Sequence, residues 1–293
     1  MGKKFLRRSL IYIPGSSQKM IGKAKDVPAD SIIFDLEDAV SMLEKDNARQ
    51  NVIAAIRQNR SIGKELVVRV NGMDSAHGVK DVLAMAEVRP DTLIIPKADE
   101  KAMIVAGMIL TAFEKEAGLT SESIGLIPLI ETTQGIVTIE RILHATQRIS
   151  GVQLGAEDLT KEQGIERTSE GDEIQHARAT LAFAACSCGI DIIDTPYTGI
   201  HDVVGLEKDT MRARSIGFTG KTCIHPSHIE IINRIFTPKT EAVDHARRLV
   251  AAFDEAVSKG KGACMFEGKM IDNPIAERAR KVLEKSNQIK GRV

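Results

Sequence analysis

The chain has 293 residues, 43% hydrophobic and 27% charged, enough for one large domain or two modest ones with a sizeable core. Forty Lys and Arg balance forty Asp and Glu, and aromatics are only 3%, so neither a basic field nor a base-stacking platform for nucleic acid is present. No apolar run approaches the roughly 18 residues of a membrane span. The N-terminus opens basic, but its apolar run stops at Pro14 and no A-x-A site follows, so it reads as a first strand rather than a signal peptide. The four cysteines (186, 188, 223 and 264) have neither zinc spacing nor a disulfide framework and read as free thiols of a cytoplasmic protein.

In chain order, short β-branched apolar runs occur at residues 9–13, 31–34, 66–70, 92–95, 125–130, 152–154, 191–193 and 222–224. Most lack alternation, as strands buried on both faces do. Helical spacing fills the intervals at 45–59, 80–88, 101–116, 136–146, 170–188, 209–215 and 229–236. Strand and helix in this repeat predict an α/β chain folded as a (β/α)8 TIM barrel over residues 1–237. An open doubly wound sheet would usually carry a Gly-rich phosphate turn after an early strand, and there is none. Thr219-Gly-Lys-Thr222 resembles the end of a Walker A motif but has Ser215 where the first glycine belongs and precedes a strand. Residues 238–293 form a C-terminal helical extension: a helix over 241–259, a Gly-rich stretch over 260–268 and a charged helix over 274–286.

Barrel enzymes carry their chemistry at the C-terminal ends of the strands. Here those ends carry Glu37 and Asp38, Arg69, Lys97, Glu131, Asp158 and His225-Pro226. Glu131 and Asp158 close neighbouring strands, about 5 Å apart. Such a pair suits Mg2+, which takes one or two carboxylates and leaves the other positions to water and substrate; as the alternative, each acid caps the helix that follows. Glu37 and Asp38 hold metal-bound waters or orient cationic groups, and Asp38 reads equally as a helix cap. The Arg69 fork matches a carboxylate, so with Mg2+ it describes a site for a small oxo- or hydroxy-acid, although a rim ion pair with Glu37 or Asp38 fits it too. Lys97 places charge or forms a Schiff base. His225 is a base or a hydrogen-bonded structural residue. No G-x-S-x-G and no Cys/His pair offers a nucleophile.

Taken in order, Arg8-Ser-Leu-Ile-Tyr-Ile-Pro14, Phe34-Asp-Leu-Glu-Asp-Ala-Val40 with Lys45 and Ala48-Arg49, Arg69-Val-Asn71, Pro96-Lys97, Ile130-Glu131-Thr, Leu154-Gly-Ala-Glu-Asp158, Gly217-Phe-Thr-Gly-Lys221, Ile224-His-Pro226 and Lys269-Met-Ile-Asp272-Asn-Pro274 resemble the citrate lyase beta subunit group, which includes malyl-CoA and citramalyl-CoA lyases. The resemblance spans nearly the whole chain. It implies a Mg2+-dependent carbon–carbon lyase acting on a citryl-, citramalyl- or malyl-CoA, or citryl-acyl-carrier-protein, thioester. The keto acid released is oxaloacetate, pyruvate or glyoxylate. By the same resemblance Glu131 and Asp158 hold the metal, Arg69 holds the keto-acid carboxylate, and Glu37 and Asp38 surround the metal waters. Asp272 enters a neighbouring subunit's site in a homotrimer or hexamer. Arg7 and Arg8, Lys19 or Lys23, and the His225-Pro226 loop meet CoA. His228 stands where the group has Gln, and Asp99 where Glu is common. The rival readings are a metal-dependent pyruvate-type aldolase, a malyl-type thioesterase and a non-catalytic subunit of a lyase complex.

Overall fold

The computed structural model describes residues 5–291, so the basic opening at 1–4 lies outside the described residues. Contacts divide the chain into one unit up to Asn233 and a second from Arg234. In the first, eight parallel strands close into a barrel: β1 (Ser9–Pro14), β2 (Ser31–Asp35), β3 (Glu65–Arg69), β4 (Thr92–Ile95), β5 (Gly125–Ile130), β6 (Gly151–Leu154), β7 (Asp191–Asp194) and β8 (Gly220–Cys223). β8 pairs with β1, from Ser9 opposite Lys221 to Ile11 opposite Cys223, and this removes both sheet edges.

The strands are buried on both faces, which is why their sequences run apolar without alternating. Inside the barrel, Leu10, Ile33, Val67, Ile94, Ile127, Leu129 and Ile193 pack into one cluster, with Tyr12 against it. The intervening helices are α1 (Gln18–Gly22), α2 (Lys45–Asn59), α3 (Ala76–Val88), α4 (Glu100–Glu116), α5 (Thr133–Val137), α6 (Ile139–His144), α7 (Ala156–Gln163), α8 (Gln175–Cys188) and α9 (Val203–Ser215), and α10 (Ser227–Phe236) follows β8. The helix expected over 136–146 is two short ones, because Thr138 leaves the helical region at φ −109°, ψ 19°.

The second unit contains α11 (Thr240–Ser258), the antiparallel hairpin β9 (Ala263–Phe266) and β10 (Lys269–Asp272), and α12 (Asn273–Lys290). The hairpin turns on Glu267 and Gly268, both at positive φ (47° and 75°). Two successive positive φ values are what a tight two-residue turn needs. Phe253, Leu249, Ala246, Ile271, Ala276 and Ala279 form the core of this unit. Among the described residues no helix is long and apolar enough to cross a membrane.

Candidate active site

β2 and β3 run in register, with Asp35 opposite Arg69 at their C-terminal ends. The Asp35 carboxylate accepts from Arg69 Nε and Nη2, each at 2.7 Å, and from the backbone N–H of Glu37 (2.9 Å) and Ala39 (3.2 Å). One buried acid therefore fixes both the guanidinium and the turn that carries Glu37 and Asp38. Lys45 clamps the same turn from α2, with Nζ donating to the carbonyls of Leu36 (2.8 Å) and Glu37 (2.7 Å). Arg69 Nη1 lies 2.9 Å from Glu37 Oε2 and 3.3 Å from Asp38 Oδ2. Its carbon centre sits 4.9 Å over the Tyr12 ring, a cation–π contact, and the Tyr12 hydroxyl accepts from Gln153 at 2.8 Å.

Lys97 follows β4 in the left-handed region (φ 46°), rare for a side chain with a Cβ. Its backbone N–H donates to Glu131 Oε1 at 2.8 Å. Its ammonium lies 2.9 Å from Glu37, 3.2 Å from Asp158 and 3.9 Å from Glu131, so three carboxylates face one point. Burial would lower the Lys97 ammonium, but the hydrogen bond to Glu37 and the surrounding carboxylates raise it above the ordinary lysine range. Burial pushes the Glu131 carboxyl up to about 7, and the facing charge of Glu37 adds to this. Glu37 is also raised, first by burial, against the pull of Arg69.

Gly155 makes room for Glu131. A Cβ at position 155 would stand 2.6 Å from Glu131 Cβ and 2.8 Å from its Oε2. Asp158 then comes from the first turn of α7. These groups border a cavity of about 490 Å3, lined by charged groups (Asp35, Asp38, Arg69, Glu131, Asp158) and by apolar ones such as Leu129, Leu154, Pro196 and Ile224. Among the described residues, no three His, Cys, Asp or Glu side chains are grouped to hold a metal by themselves.

The structure thus brings together Glu37, Asp38, Arg69, Lys97, Glu131 and Asp158. His225 and Pro226 follow β8 on the same rim, beside the lining residue Ile224, with His225 Nδ1 2.7 Å from Ser227 Oγ. Lys23 is exposed just after α1. Asp272 lies in the second unit, where its Oδ1 caps α12 by accepting from the Ile275 N–H at 3.3 Å. Arg8 is not brought to this rim: it precedes β1 and is tied to Asp30, which precedes β2, at 2.8 and 2.9 Å. Both stand at the opposite, N-terminal end of the barrel, as does buried Arg7, which is bound to Glu65. Asp35, Tyr12 and Lys45 stand in the sequence motifs, but their roles at the site emerge only from the structure. Asp35 had a signal, since it ends a strand next to one ending in Arg69.

Eight parallel strands closed into a barrel, with carboxylates, an arginine and a lysine around a cavity at their C-terminal ends, define a TIM-barrel enzyme. Residues 8–226 match the family model for HpcH/HpaI aldolase/citrate lyase, and residues 174–289 match that for a C–C bond lyase of the TIM-barrel fold. The chain belongs to the HpcH/HpaI aldolase/citrate lyase family, and it is a carbon–carbon lyase. It is 37% identical to citrate lyase subunit beta of Escherichia coli K12, over 96% of this chain and 93% of that protein. It is 36% identical to a (3S)-malyl-CoA thioesterase of Cereibacter sphaeroides, over 96% and 95%. Protein CitE from Mycobacterium tuberculosis, solved with magnesium, acetoacetate and coenzyme A, superposes with a TM-score of 0.77 at 29% identity, over 96% of this chain and 98% of that one.

Proposed function

We propose that this lyase cleaves a 3-hydroxy-3-carboxy acyl thioester (citryl-, citramalyl- or malyl-CoA, or the citryl-acyl-carrier-protein thioester) into a keto acid and an acetyl thioester, with Mg2+ as cofactor. The observation that carries this reading is that Glu131 and Asp158 both face the Lys97 ammonium (3.9 and 3.2 Å) and line the cavity together with Arg69. The donor set fits the ion. Both groups are carboxylates, and carboxylate oxygens are the hard donors that Mg2+ takes. Glu131 and Asp158 would hold Mg2+, which when bound supplies Lewis-acid polarisation of the oxygens beside the acid's carboxylate.

The protein's own residues then divide the work. Arg69 faces the acid's carboxylate. Asp35 already occupies its Nε and Nη2 side, so the guanidinium presents Nη1, where Glu37 and Asp38 now sit. Lys97 offsets the gathered carboxylates. Cleavage needs a base for the hydroxyl proton. Asp272, supplied by a neighbouring copy in a homotrimer or hexamer, is the proposed one, with a carboxylate-linked water as the alternative. Loss of that proton drives breakage of the adjacent C–C bond. The electron pair leaves on the thioester as its enolate, which a proton converts to the acetyl thioester. Lys23, His225 and Pro226 are proposed on the carrier side. The four cysteines are free and fit a cytoplasmic enzyme.

The test is mass spectrometry of products from citryl-, citramalyl- and malyl-CoA with Mg2+, and with EDTA as control. A keto acid plus acetyl-CoA from one substrate, abolished by EDTA, is expected. Free CoA with an intact hydroxy acid makes the protein a thioesterase, the activity named for the Cereibacter relative. With no turnover on any CoA ester, the CoA reading fails, and a carrier-protein thioester or a non-catalytic subunit takes its place.

A further inference from the structure

Glu131 imposes a cost on the neighbouring helix. It requires glycine at position 155, the residue that precedes α7. A helix leaves its first N–H groups without internal partners, and a Ser, Thr, Asp or Asn before it usually accepts from one of them. Glycine has no side chain to do this, and α7 has no side-chain cap of its own. Yet α7 carries Asp158 in its first turn, and the position of that turn sets where the carboxylate points.

We infer that Thr195, held in place by Lys221, acts as the missing cap and is a positioning residue for Asp158. Thr195 follows β7 and lines the cavity. Its hydroxyl accepts from the backbone N–H of Ala156, the first residue of α7, at 3.2 Å. Its carbonyl accepts from Lys221 Nζ at 2.6 Å. Lys221 is wholly buried in β8, and its other contacts are Asp194 Oδ2 (2.5 Å) and Asp209 Oδ2 (2.7 Å). Arg178 bonds the same two acids at 2.6–3.0 Å, so two cations and two anions balance inside the wall. A buried ammonium needs every proton bonded. Here two go to acids, and one goes to the backbone of the residue that caps α7. Thr222 Oγ1 secures the adjacent carbonyl, that of Asp194, at 2.9 Å. The chain of contacts runs from a rigid charged cluster in β7, β8, α8 and α9 to the first turn of α7.

This inference rests on the reading that Asp158 and Glu131 hold a divalent cation, so two measurements separate the two claims. Thr195→Val removes the hydroxyl at nearly constant volume, and Thr195→Ser restores it. Amide hydrogen exchange on the metal-free full-length protein reads the α7 cap directly. Titration calorimetry with Mg2+ alone reads the consequence at the site. Expected are faster exchange in the first turn of α7 and Mg2+ binding weakened about tenfold in Thr195→Val, both returned by Thr195→Ser, as for groups that orient metal ligands. Unchanged exchange overturns the cap. Faster exchange with unchanged Mg2+ affinity overturns the link to Asp158. If the wild type itself binds no Mg2+, the metal reading falls, and exchange alone decides whether Thr195 caps α7. Lys221→Met should reproduce the Thr195→Val exchange pattern wherever it folds.

Discussion

Two glutamates sit buried at opposite ends of this barrel, and their environments differ in sign. Glu65 opens β3 at the N-terminal end. It accepts from Arg7 Nη2 (2.6 Å), Ser31 Oγ (2.7 Å) and Thr92 Oγ1 (2.7 Å). Burial alone would raise its carboxyl, yet the charge and hydrogen bonds of Arg7 hold it below the usual carboxylate range. Glu131 follows β5 at the other end. It has one backbone N–H at 2.8 Å, a lysine at 3.9 Å and the charge of Glu37 facing it, and burial pushes it up to about 7. The two differ in donors and not in depth. At the base, the Nε and Nη2 of Arg7 with the two hydroxyls supply the carboxylate with a full set of donors. At the rim, Asp35, Glu37, Asp38, Glu131 and Asp158 gather around Arg69 and Lys97, and negative charge is left over. A closed, satisfied charge network specifies a fold, whereas a carboxylate in excess invites a cation.

The comparison breaks most visibly at Arg7. Arg7→Met leaves Glu65 buried without its cation and should cost about 3–5 kcal/mol of folding stability, read from the urea midpoint. Turnover per folded molecule should hold; a matching loss of turnover would show that the two ends are not separate in role. Glu131→Gln is the opposite case. Turnover should fall by about 10²–10³, the scale for losing a group that stabilises developing charge. Its midpoint should stay level or rise, because the substitution removes a charge that burial disfavours. A midpoint that drops as far as in Arg7→Met would mean that Glu131 is paired as fully as Glu65.

Much of this was legible in the chain. Unbroken β-branched runs such as 31–34 and 92–95 have no solvent face to alternate toward, and they proved to be strands buried on both sides. Once the strands are placed, whatever follows each one stands on the rim, which is how Glu37, Arg69, Lys97, Glu131 and Asp158 come together. The same logic applied to Arg8 sends it to the base, since it precedes its strand; the family resemblance pointed the other way. The β9–β10 hairpin left no β-branched run, since Ile271 is the one β-branched residue in its two four-residue strands. Asp35 reads as the end of a strand until its bidentate hold on Arg69 is seen. Thr195 and Lys221 are 26 residues apart, and only the β7–β8 pairing and the turn after it join them.

The smallest expected effect sharpens the base rather than breaking it. Arg148, just before β6, bonds the buried carboxylate of Glu114 at the end of α4, with Nη1 2.9 Å from Oε1 and Nη2 2.5 Å from Oε2. Ser123 adds its N–H at 3.0 Å and its hydroxyl at 2.8 Å, and Glu122 its N–H at 2.9 Å. Burial would raise this carboxyl, but the Arg148 and Ser123 hydrogen bonds hold it down to about 2, against an ordinary 4.5. A carboxyl depressed in the folded state binds its proton less readily there than in the unfolded chain. Its stabilisation is therefore complete above about pH 4.5 and is lost as pH falls toward about 2. Glu114→Gln should remove on the order of 2 kcal/mol at neutral pH and flatten the fall in stability across that window. Above pH 5 the stability curves of variant and wild type should run parallel. Urea unfolding from pH 7 to 2 measures this. Curves that stay parallel down to pH 2 would mean that shape and hydrogen bonding hold this end of the barrel and that the charge on Glu114 does not.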